Sequence, residues 1–217
     1  MEMNAPGHLP GVFRDINSAN GDERMSRERY VVFDTETPNS YNNRMCQIGV
    51  SVIEDGRILG SFTRLVNPEC DYAAFNVLLH GITPEATNGE PCFAELWEQE
   101  LAGVFDEGVL VAHNAPFDMA VLAKCLRAYG ITWRARAQYI DTVRMARAAF
   151  PELSNHKLDT LSYALGIDLA HHDAGSDALA CAKIFLACRE RGVSPGRFTH
   201  EYDLLTVSTV KGGTARV

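Results

Sequence analysis

Two short runs of the chain, YVVFD at residues 30–34 and GVLVAH at residues 108–113, are apolar until polar side chains begin at their ends. Unbroken apolar runs of this length indicate strands that are buried on both faces, because a strand with one face in water alternates polar and apolar residues. Such strands occur in sheets that are covered by helices on both sides. The two runs therefore favour a layered α/β fold.

The other elements fit around these two strands. The runs CQIGVSVI and RILGSFTRLV are joined by Glu54-Asp55-Gly56, and Asp-Gly between two such runs predicts a hairpin. Helical patterns follow at about 72–80, 93–105 and 116–129, then a strand at QYI and helices from about 141, from about 157 and over 173–189. We predict a mixed five-stranded sheet, with three antiparallel strands and then two parallel ones, and helices on both faces.

The chain of 217 residues, 46% of them hydrophobic, has the size of one compact domain with short tails. Residues 1–28 are rich in Gly, Pro, Asn and charge without a period, and we assign them to an N-terminal tail. Residues 29–190 form the predicted domain. Residues 191–217 are a C-terminal tail without an assigned role, in which 204–210 could form a further strand.

Charge and cysteine content exclude several classes of protein. A net charge of -8 argues against a binder that holds nucleic acid through a broad basic surface, so any contact with nucleic acid must be local. The six cysteines include no CxxC pair, which indicates free thiols in a reducing compartment. No signal peptide and no apolar run of about 18 residues is present, and we expect a cytoplasmic protein without a membrane partner.

The first strand ends in Asp34-Thr35-Glu36. Side chains two residues apart on an extended chain point the same way, so both carboxylates face one spot. Oxygen ligands without a neighbouring Lys or Arg suit a hard cation such as Mg²⁺ or Mn²⁺. Taken alone, however, the pair is more simply explained as a strand end with two solvated acids.

Two more acids lie where helices begin. Asp118 lies in the segment HNAPFD after GVLVA, where Asn114 can cap the helix and an acid in the first turn meets the helix dipole favourably. Asp177 follows HHDAGS, in which Asp173 can cap the last helix. Either acid could be structural, or both could join the pair on the first strand. A histidine before Asp173 is either a surface residue or a general base that activates water.

The middle of this acidic chain is locally basic. The charges form either a solvated face or a set of phosphate contacts that position a strand without reading its sequence. The residues are Lys124, Arg127, Arg134, Arg136, Arg144 and Arg147.

The segments DTET, HNAPFD and HDAGSD, in that order, resemble the three exonuclease motifs of the DEDD superfamily. In the last motif four residues separate a histidine from an aspartate, as in the DEDDh, or DnaQ-like, 3′ to 5′ exonucleases. This branch includes the epsilon proofreading subunit of bacterial DNA polymerase III, oligoribonuclease and RNase T. The resemblance covers about residues 29–190, and it implies a ribonuclease H-like fold.

The resemblance also implies a reaction and the residues for it. The expected enzyme is a 3′ to 5′ exonuclease that hydrolyses phosphodiester bonds with two divalent metal ions, Mg²⁺ or Mn²⁺, and releases nucleoside monophosphates. His172 is the expected general base; His171 competes for this role, but only His172 has the family spacing. The metal ligands would be Asp34, Glu36, Asp118 and Asp177, and the terminal nucleotide would contact Thr35, Thr37, His113, Asn114 and Phe117.

One departure from the family pattern bears on the substrate. Many proofreading members follow DTET with a small pair such as Thr-Gly, whereas this chain has Pro38-Asn39, and a proline stiffens the backbone there. The expected substrate is the 3′ end of single-stranded DNA, and an RNA exonuclease of the oligoribonuclease or RNase T type is the alternative. A catalytically silent module that binds nucleic acid or a polymerase is a second alternative. The expected protein partner is a DNA polymerase or a second copy of the chain.

Overall fold

The computed structural model describes residues 28–205, which form one six-stranded sheet in the order β3-β2-β1-β4-β5-β6. The neighbours β1, β2 and β3 are antiparallel, β1, β4 and β5 are parallel, and β6 runs antiparallel to β5. The strands are β1 (Arg29–Glu36), β2 (Gln47–Glu54), β3 (Arg57–Leu65), β4 (Val109–Ala112), β5 (Arg136–Asp141) and β6 (Thr199–Asp203).

The predicted count of five strands is wrong by one. The additional strand, β6, comes from the predicted C-terminal tail, and Leu204 beyond it donates its N–H to Ala135 O at 2.9 Å. As the edge strand of the sheet, β6 is short and polar, with the sequence THEYD. It therefore lacks the run of apolar residues by which a strand is predicted from sequence. The further strand expected at 204–210 lies mostly outside the described residues, as does nearly all of the predicted tail 1–28. The domain boundaries stay a prediction.

Helices lie on both faces of the sheet, as predicted. The pattern at 93–105 forms three pieces, because a π-helical turn over Trp97–Leu101 interrupts it between α3 and α4. A short 3₁₀ turn, Pro195–Phe198, precedes β6. The α-helices are α1 (Ala74–His80), α2 (Pro84–Thr87), α3 (Phe93–Leu96), α4 (Ala102–Phe105), α5 (Pro116–Ala128), α6 (Thr142–Ala149), α7 (Leu158–Leu165) and α8 (Ala174–Glu190).

The sheet separates two hydrophobic cores, and β1 contributes to both. Val31 and Phe33 pack with the helices from α3 to α5, whereas Tyr30 and Val32 pack with α6, α7 and α8. Alternate side chains of a strand point to opposite faces, so a strand that is covered on both sides must be apolar throughout. This double burial holds the carboxyl end of β1 in place.

The hairpin between β2 and β3 turns at the predicted dipeptide. Asp55 and Gly56 have positive φ angles of 48° and 77°. Two consecutive positive φ values are characteristic of the two-residue turn that matches the twist of the strands, and Asp-Gly adopts it readily. The hairpin places β2 beside β1, where its first residues meet α8.

Within residues 28–205, no helix has both the length and the apolar character that crossing a membrane requires.

Candidate active site

Three carboxylates from two elements meet at the carboxyl end of β1. Asp34 is partly buried and Glu36 is buried, and both lie on the side of the strand that faces the first turn of α8. Oxygens of Asp34, Glu36 and Asp177 all lie within 4.8 Å of one another. The structure therefore brings the predicted pair on β1 together with the acid of the third motif.

Asp118 on α5 is not one of these three carboxylates, but it lies close enough for its charge to raise the pKa of Asp34 and Glu36, and we count it as the fourth member of the cluster. Its Oδ1 accepts hydrogen bonds from the backbone N–H of Thr35 at 3.1 Å and from the Thr35 hydroxyl at 2.8 Å. The expected capping role of Asn114 is wrong: Ala115 occupies the N-cap position of α5, which has no side-chain cap. Asn114 instead has a φ of 65°, and its N–H donates to Asp141 Oδ1 at 3.0 Å. Asn tolerates this left-handed conformation better than most residues do.

The first turn of α8 is fixed to β2 by a glutamine that the sequence did not single out. Gln47 Oε1 accepts a hydrogen bond from the N–H of Ala174 at 2.9 Å, and Gln47 Nε2 donates to Asp173 Oδ2 at 3.3 Å. Asp173 caps the helix as predicted, because its Oδ1 accepts from the Ser176 N–H at 2.8 Å. These contacts set the position of Asp177.

A close backbone approach accompanies the Gln47 contacts. A Cβ added at Gly49 would lie 1.9 Å from the carbonyl oxygen of Ala174, so only glycine fits there. Neither Gln47 nor Gly49 carries a charge or belongs to an acidic motif. The signal that could have indicated them is their place at the start of β2, opposite Glu36 and Asp34 in the strand register.

Each of the four carboxyls has a raised pKa, and burial is the largest cause in every case. Burial and the neighbouring acids, Asp177 first, raise the pKa of Glu36 to about 8. Burial raises the pKa of Asp118 to about 7, although the two hydrogen bonds from Thr35 oppose the shift. Burial and the charge of Asp118 raise the pKa of Asp34 well above its usual range, and burial raises that of Asp177.

Like charges in a buried cluster are costly unless a cation compensates them. Within residues 28–205, no Lys or Arg forms an ion pair with the four carboxylates. A set of converging carboxylate oxygens without a protein counter-charge fits a hard divalent cation such as Mg²⁺ or Mn²⁺. The residues present therefore suit the predicted metal ligation by Asp34, Glu36, Asp118 and Asp177.

The two adjacent histidines reach Asp177 in different ways. The ring Nδ1 of His171 lies 3.2 Å from Asp177 Oδ2, whereas His172 donates its backbone N–H to the same oxygen at 3.1 Å. His172 has a φ of 67°, and the two rings stack with centroids 4.0 Å apart. Burial, and then the charge of His171, lower the pKa of His172. A lowered pKa keeps the ring neutral near pH 7, as a proton acceptor must be.

The residues expected to contact the terminal nucleotide are in differing environments. Thr35 is buried and bonded to Asp118, and Thr37 is buried with its hydroxyl donating to Asn42 Oδ1 at 3.1 Å. His113 has both ring nitrogens engaged, by Thr142 Oγ1 at 2.9 Å and His156 O at 3.1 Å, and burial lowers its pKa to about 4. Phe117 remains 41% exposed.

Helix α1 contributes contacts that the motifs did not predict. Asn76 Nδ2 donates to the carbonyl oxygen of Thr37 at 2.9 Å, and His80 Nε2 lies 3.2 Å from the same oxygen. The carbonyl oxygen of Pro38 accepts the N–H of Ala73 at 2.9 Å. The chain after DTET, where Pro38-Asn39 departs from the family pattern, is therefore fixed to α1.

A model of the exonuclease family named RNase T matches residues 31–185. The chain belongs to this exonuclease family. The predicted membership of the DEDDh exonucleases is thereby confirmed. The match includes all four acids of the cluster and both adjacent histidines.

Curated relatives of this exonuclease chain are DNA polymerase III proteins. A DNA polymerase III PolC-type from Clostridium perfringens is 38% identical over 168 residues, which are 76% of this chain and 11% of the relative. A DNA polymerase III subunit epsilon-like protein from Rhodobacter capsulatus is 34% identical over 194 residues, 83% of this chain and 27% of the relative. The chain thus spans about a tenth to a quarter of the length of these two relatives.

Solved exonuclease structures share the fold. Exonuclease X, described in complex with 5′ overhanging duplex DNA, superimposes with a TM-score of 0.62 at 20% identity, over 78% of this chain and 96% of that one. A 3′-exonuclease described as recognising a histone mRNA stem-loop gives a TM-score of 0.65 at 17% identity, over 77% and 84%. The predicted ribonuclease H-like α/β fold is confirmed.

Proposed function

We propose that this exonuclease is a 3′ to 5′ enzyme that removes nucleoside monophosphates from the 3′ end of single-stranded DNA. The observation that carries the proposal is the convergence of Asp34, Glu36, Asp118 and Asp177 at one end of the sheet, without a protein counter-charge among residues 28–205. Membership of the exonuclease family supports a hydrolytic role for this cluster.

The carboxylates would hold two divalent ions, Mg²⁺ or Mn²⁺, which in such sites polarise the scissile phosphate and lower the pKa of the attacking water. The remaining steps belong to residues of the chain. Thr35 holds Asp118 in place, and Gln47 holds the first turn of α8 and with it Asp177. His172, whose pKa is lowered, would accept the proton of the attacking water.

The terminal nucleoside would lie beside Thr37 and Phe117. Thr37 closes the site towards α1, and the exposed ring of Phe117 on α5 is free to stack on a base. His113 and Asn114 are engaged by Thr142 and Asp141, so we assign them to the wall of the site, where they would shape it without donating to the base.

An RNA exonuclease is the second candidate. The solved neighbour described as recognising a histone mRNA stem-loop has the same fold, and Pro38-Asn39 departs from the pattern of many proofreading members. The third candidate, a catalytically silent binding module, would require that the complete acidic cluster and His172 have no catalytic use.

The relatives are DNA polymerase III proteins, which supports a DNA polymerase as the protein partner; a homodimer is the alternative. The free cysteines support a cytoplasmic location.

The test offers DNA and RNA strands labelled at the 5′ end to the purified chain, with Mg²⁺, Mn²⁺ or a chelator. Release of single nucleotides from the 3′ end gives a ladder of shortened labelled products that requires a divalent ion and disappears in Asp34→Asn. Faster shortening of RNA would favour the second candidate. Cleavage that persists in chelator and in Asp34→Asn, or no cleavage of any strand, would contradict the proposal.

A further inference from the structure

A cavity of about 660 Å³ lies beside the carboxylate cluster. It is bounded by the end of β4, by α6 and by the loop after α6. His171 belongs both to the cavity wall and to the cluster, because its ring contacts Asp177 at 3.2 Å. The side chains that matter for its chemistry are His113, Arg147, Ser154, Asn155, Lys157 and His171.

Arg147 differs from the other basic residues in the middle of the chain. Within residues 28–205 its guanidinium makes no hydrogen bond or ion pair, and it lines the cavity. An Arg without a partner, in a chain with a net charge of -8, is available to an anionic ligand. The other five are engaged: Lys124 with Tyr41 O, Arg127 with Leu205 O, Arg134 with Asp106, Arg136 with Glu201 and Arg144 with His200.

The rest of the cavity adds a second cation and neutral donors. Lys157 supplies an ammonium group, and Ser154 a hydroxyl. Asn155 uses its Oδ1 to accept the N–H of Lys157 at 3.1 Å, which leaves its NH₂ group for a ligand. Asp159 is the acid in the cavity wall: its Oδ1 accepts the N–H of Thr160 at 2.7 Å, and that bond, together with the nearby charges of Lys157 and His171, lowers its pKa. Arg147 and Lys157 outnumber the one acid, so the cavity has a net positive charge, which favours a phosphate group as ligand.

The position of the cavity indicates which phosphate it binds. The 3′-terminal nucleoside carries no phosphate beyond the scissile one, whereas the strand on the other side of the scissile bond carries one phosphate per nucleotide. The flank where Thr37 meets α1 lies towards β2, because Nε2 of His80 on α1 is 3.9 Å from the sulfur of Cys46 just before that strand, and among residues 28–205 the groups that bond Thr37 there include no Lys or Arg. The cationic cavity lies at the ends of β4 and β5. The strand therefore fits the cavity, and the terminal nucleoside fits the other flank.

We infer that Arg147 and Lys157 bind the phosphate one nucleotide upstream of the scissile phosphate and so hold the strand in the exonuclease site. This inference rests on the proposed function. It assigns Arg147 a positioning role, because its guanidinium would contact substrate away from the bond that breaks. Such a contact strengthens substrate binding and leaves the chemical step unchanged.

Two dinucleotides that differ by this one phosphate test the inference. One has only the scissile phosphate, as in dTpdT, and the other adds a 5′ phosphate, as in pdTpdT; if the enzyme cleaves RNA faster, the ribose forms are used. For the wild type we expect kcat/KM to be about tenfold higher with the 5′ phosphate. The preference should fall to about onefold in Arg147→Ala and in Arg147→Glu, mainly through KM, and Arg147→Lys should keep part of it.

Arg144→Ala is the matched control, because Arg144 lies on the same helix, is exposed, and contacts His200 on β6. It should keep the full preference for the 5′ phosphate. Equal rates on the two dinucleotides in the wild type, or an unchanged preference in both Arg147 variants, would contradict the inference. So would a wild type that shortens long strands but cleaves neither dinucleotide. A wild type that cleaves no strand of any length would overturn the proposed function and this inference with it.

Discussion

At the scale of single residues, the point to decide is which of the adjacent His171 and His172 acts as the general base. The family spacing selects His172, whereas the ring that contacts the Asp177 carboxylate is that of His171. The lowered pKa of His172 suits a proton acceptor, and its backbone has a positive φ of 67°. The sequence selected His172 through the family spacing, but it could not predict which ring contacts Asp177, because that contact depends on the folded backbone.

The paired substitutions His172→Ala and His171→Ala resolve the question. We expect His172→Ala to lower kcat by about 10² to 10⁴-fold, since it removes the general base. His171→Ala should cost much less, because Asp177 also accepts the backbone N–H of His172. The measurement is single-turnover release of the 3′ nucleotide at saturating metal. A larger loss in His171→Ala than in His172→Ala would reverse the assignment.

At the scale of elements, the site depends on how closely α8 approaches β2. Gly49 allows the carbonyl of Ala174 to lie where a side chain would otherwise be, and Gln47 bonds both Ala174 and Asp173. The approach brings Asp177 within reach of Asp34 and Glu36.

Gly49→Ala should separate these elements. The added Cβ would lie 1.9 Å from a backbone oxygen, and we expect a loss of about 1–3 kcal/mol in the free energy of unfolding together with a large loss of activity. Gly60→Ala on β3 is the control, because no atom lies within 4 Å of its added Cβ. Thermal unfolding and nucleotide release are measured for both variants. Equal losses of stability and of nucleotide release in the two variants would show that the close approach of α8 to β2 does not hold the site together.

A second substitution tests the same contact without adding volume. Gln47→Leu removes both hydrogen bonds to the start of α8, and the N–H of Ala174 loses its acceptor. We expect activity to fall about tenfold or more and the Mn²⁺ affinity to weaken, because Asp177 is no longer held in place. Unchanged Mn²⁺ affinity and activity would mean that Asp173 alone positions the first turn.

Elements also show what the sequence could predict. The apolar strands β1 and β4, the Asp-Gly hairpin and the helix that begins beside Asp173 followed directly from composition and period. The polar edge strand β6 and the π-helical turn did not, because neither has a distinctive local pattern. The four acids could be selected only through a resemblance, and Gln47 became visible only through its tertiary contacts.

At the scale of the whole molecule, the carboxylate cluster couples stability to pH. The folded-state pKa values of Glu36 and Asp118, about 8 and about 7, lie above the ordinary values of 4.5 and 3.8. At any pH between the ordinary and the raised pKa values, the folded chain binds more protons than the unfolded chain. The stabilisation that comes from these protonated carboxyls is therefore present at low pH and is lost as pH rises through the raised pKa values. Bound divalent ions should offset the loss, because they compensate the carboxylates.

The metal-free chain should therefore show a Tm that falls as pH rises from about 5.5 to about 8.5, by several degrees if the loss amounts to about 1–2 kcal/mol. Excess Mg²⁺ should reduce the fall. Glu36→Gln, which cannot titrate, should flatten the slope relative to the wild type. A wild-type slope that equals that of Glu36→Gln, in chelator, would show that the raised pKa of Glu36 is not linked to folding.

The proposed chemistry depends most directly on whether the cluster of Asp34, Glu36, Asp118 and Asp177 binds divalent cations. Equilibrium titration with Mn²⁺, with free ion followed by electron paramagnetic resonance, tests it without any substrate. We expect about two bound ions per chain for the wild type, with the tighter one lost or greatly weakened in Asp34→Asn, while Arg144→Ala binds as the wild type does. Absence of Mn²⁺ binding, or the same binding curve for Asp34→Asn and the wild type, would contradict it.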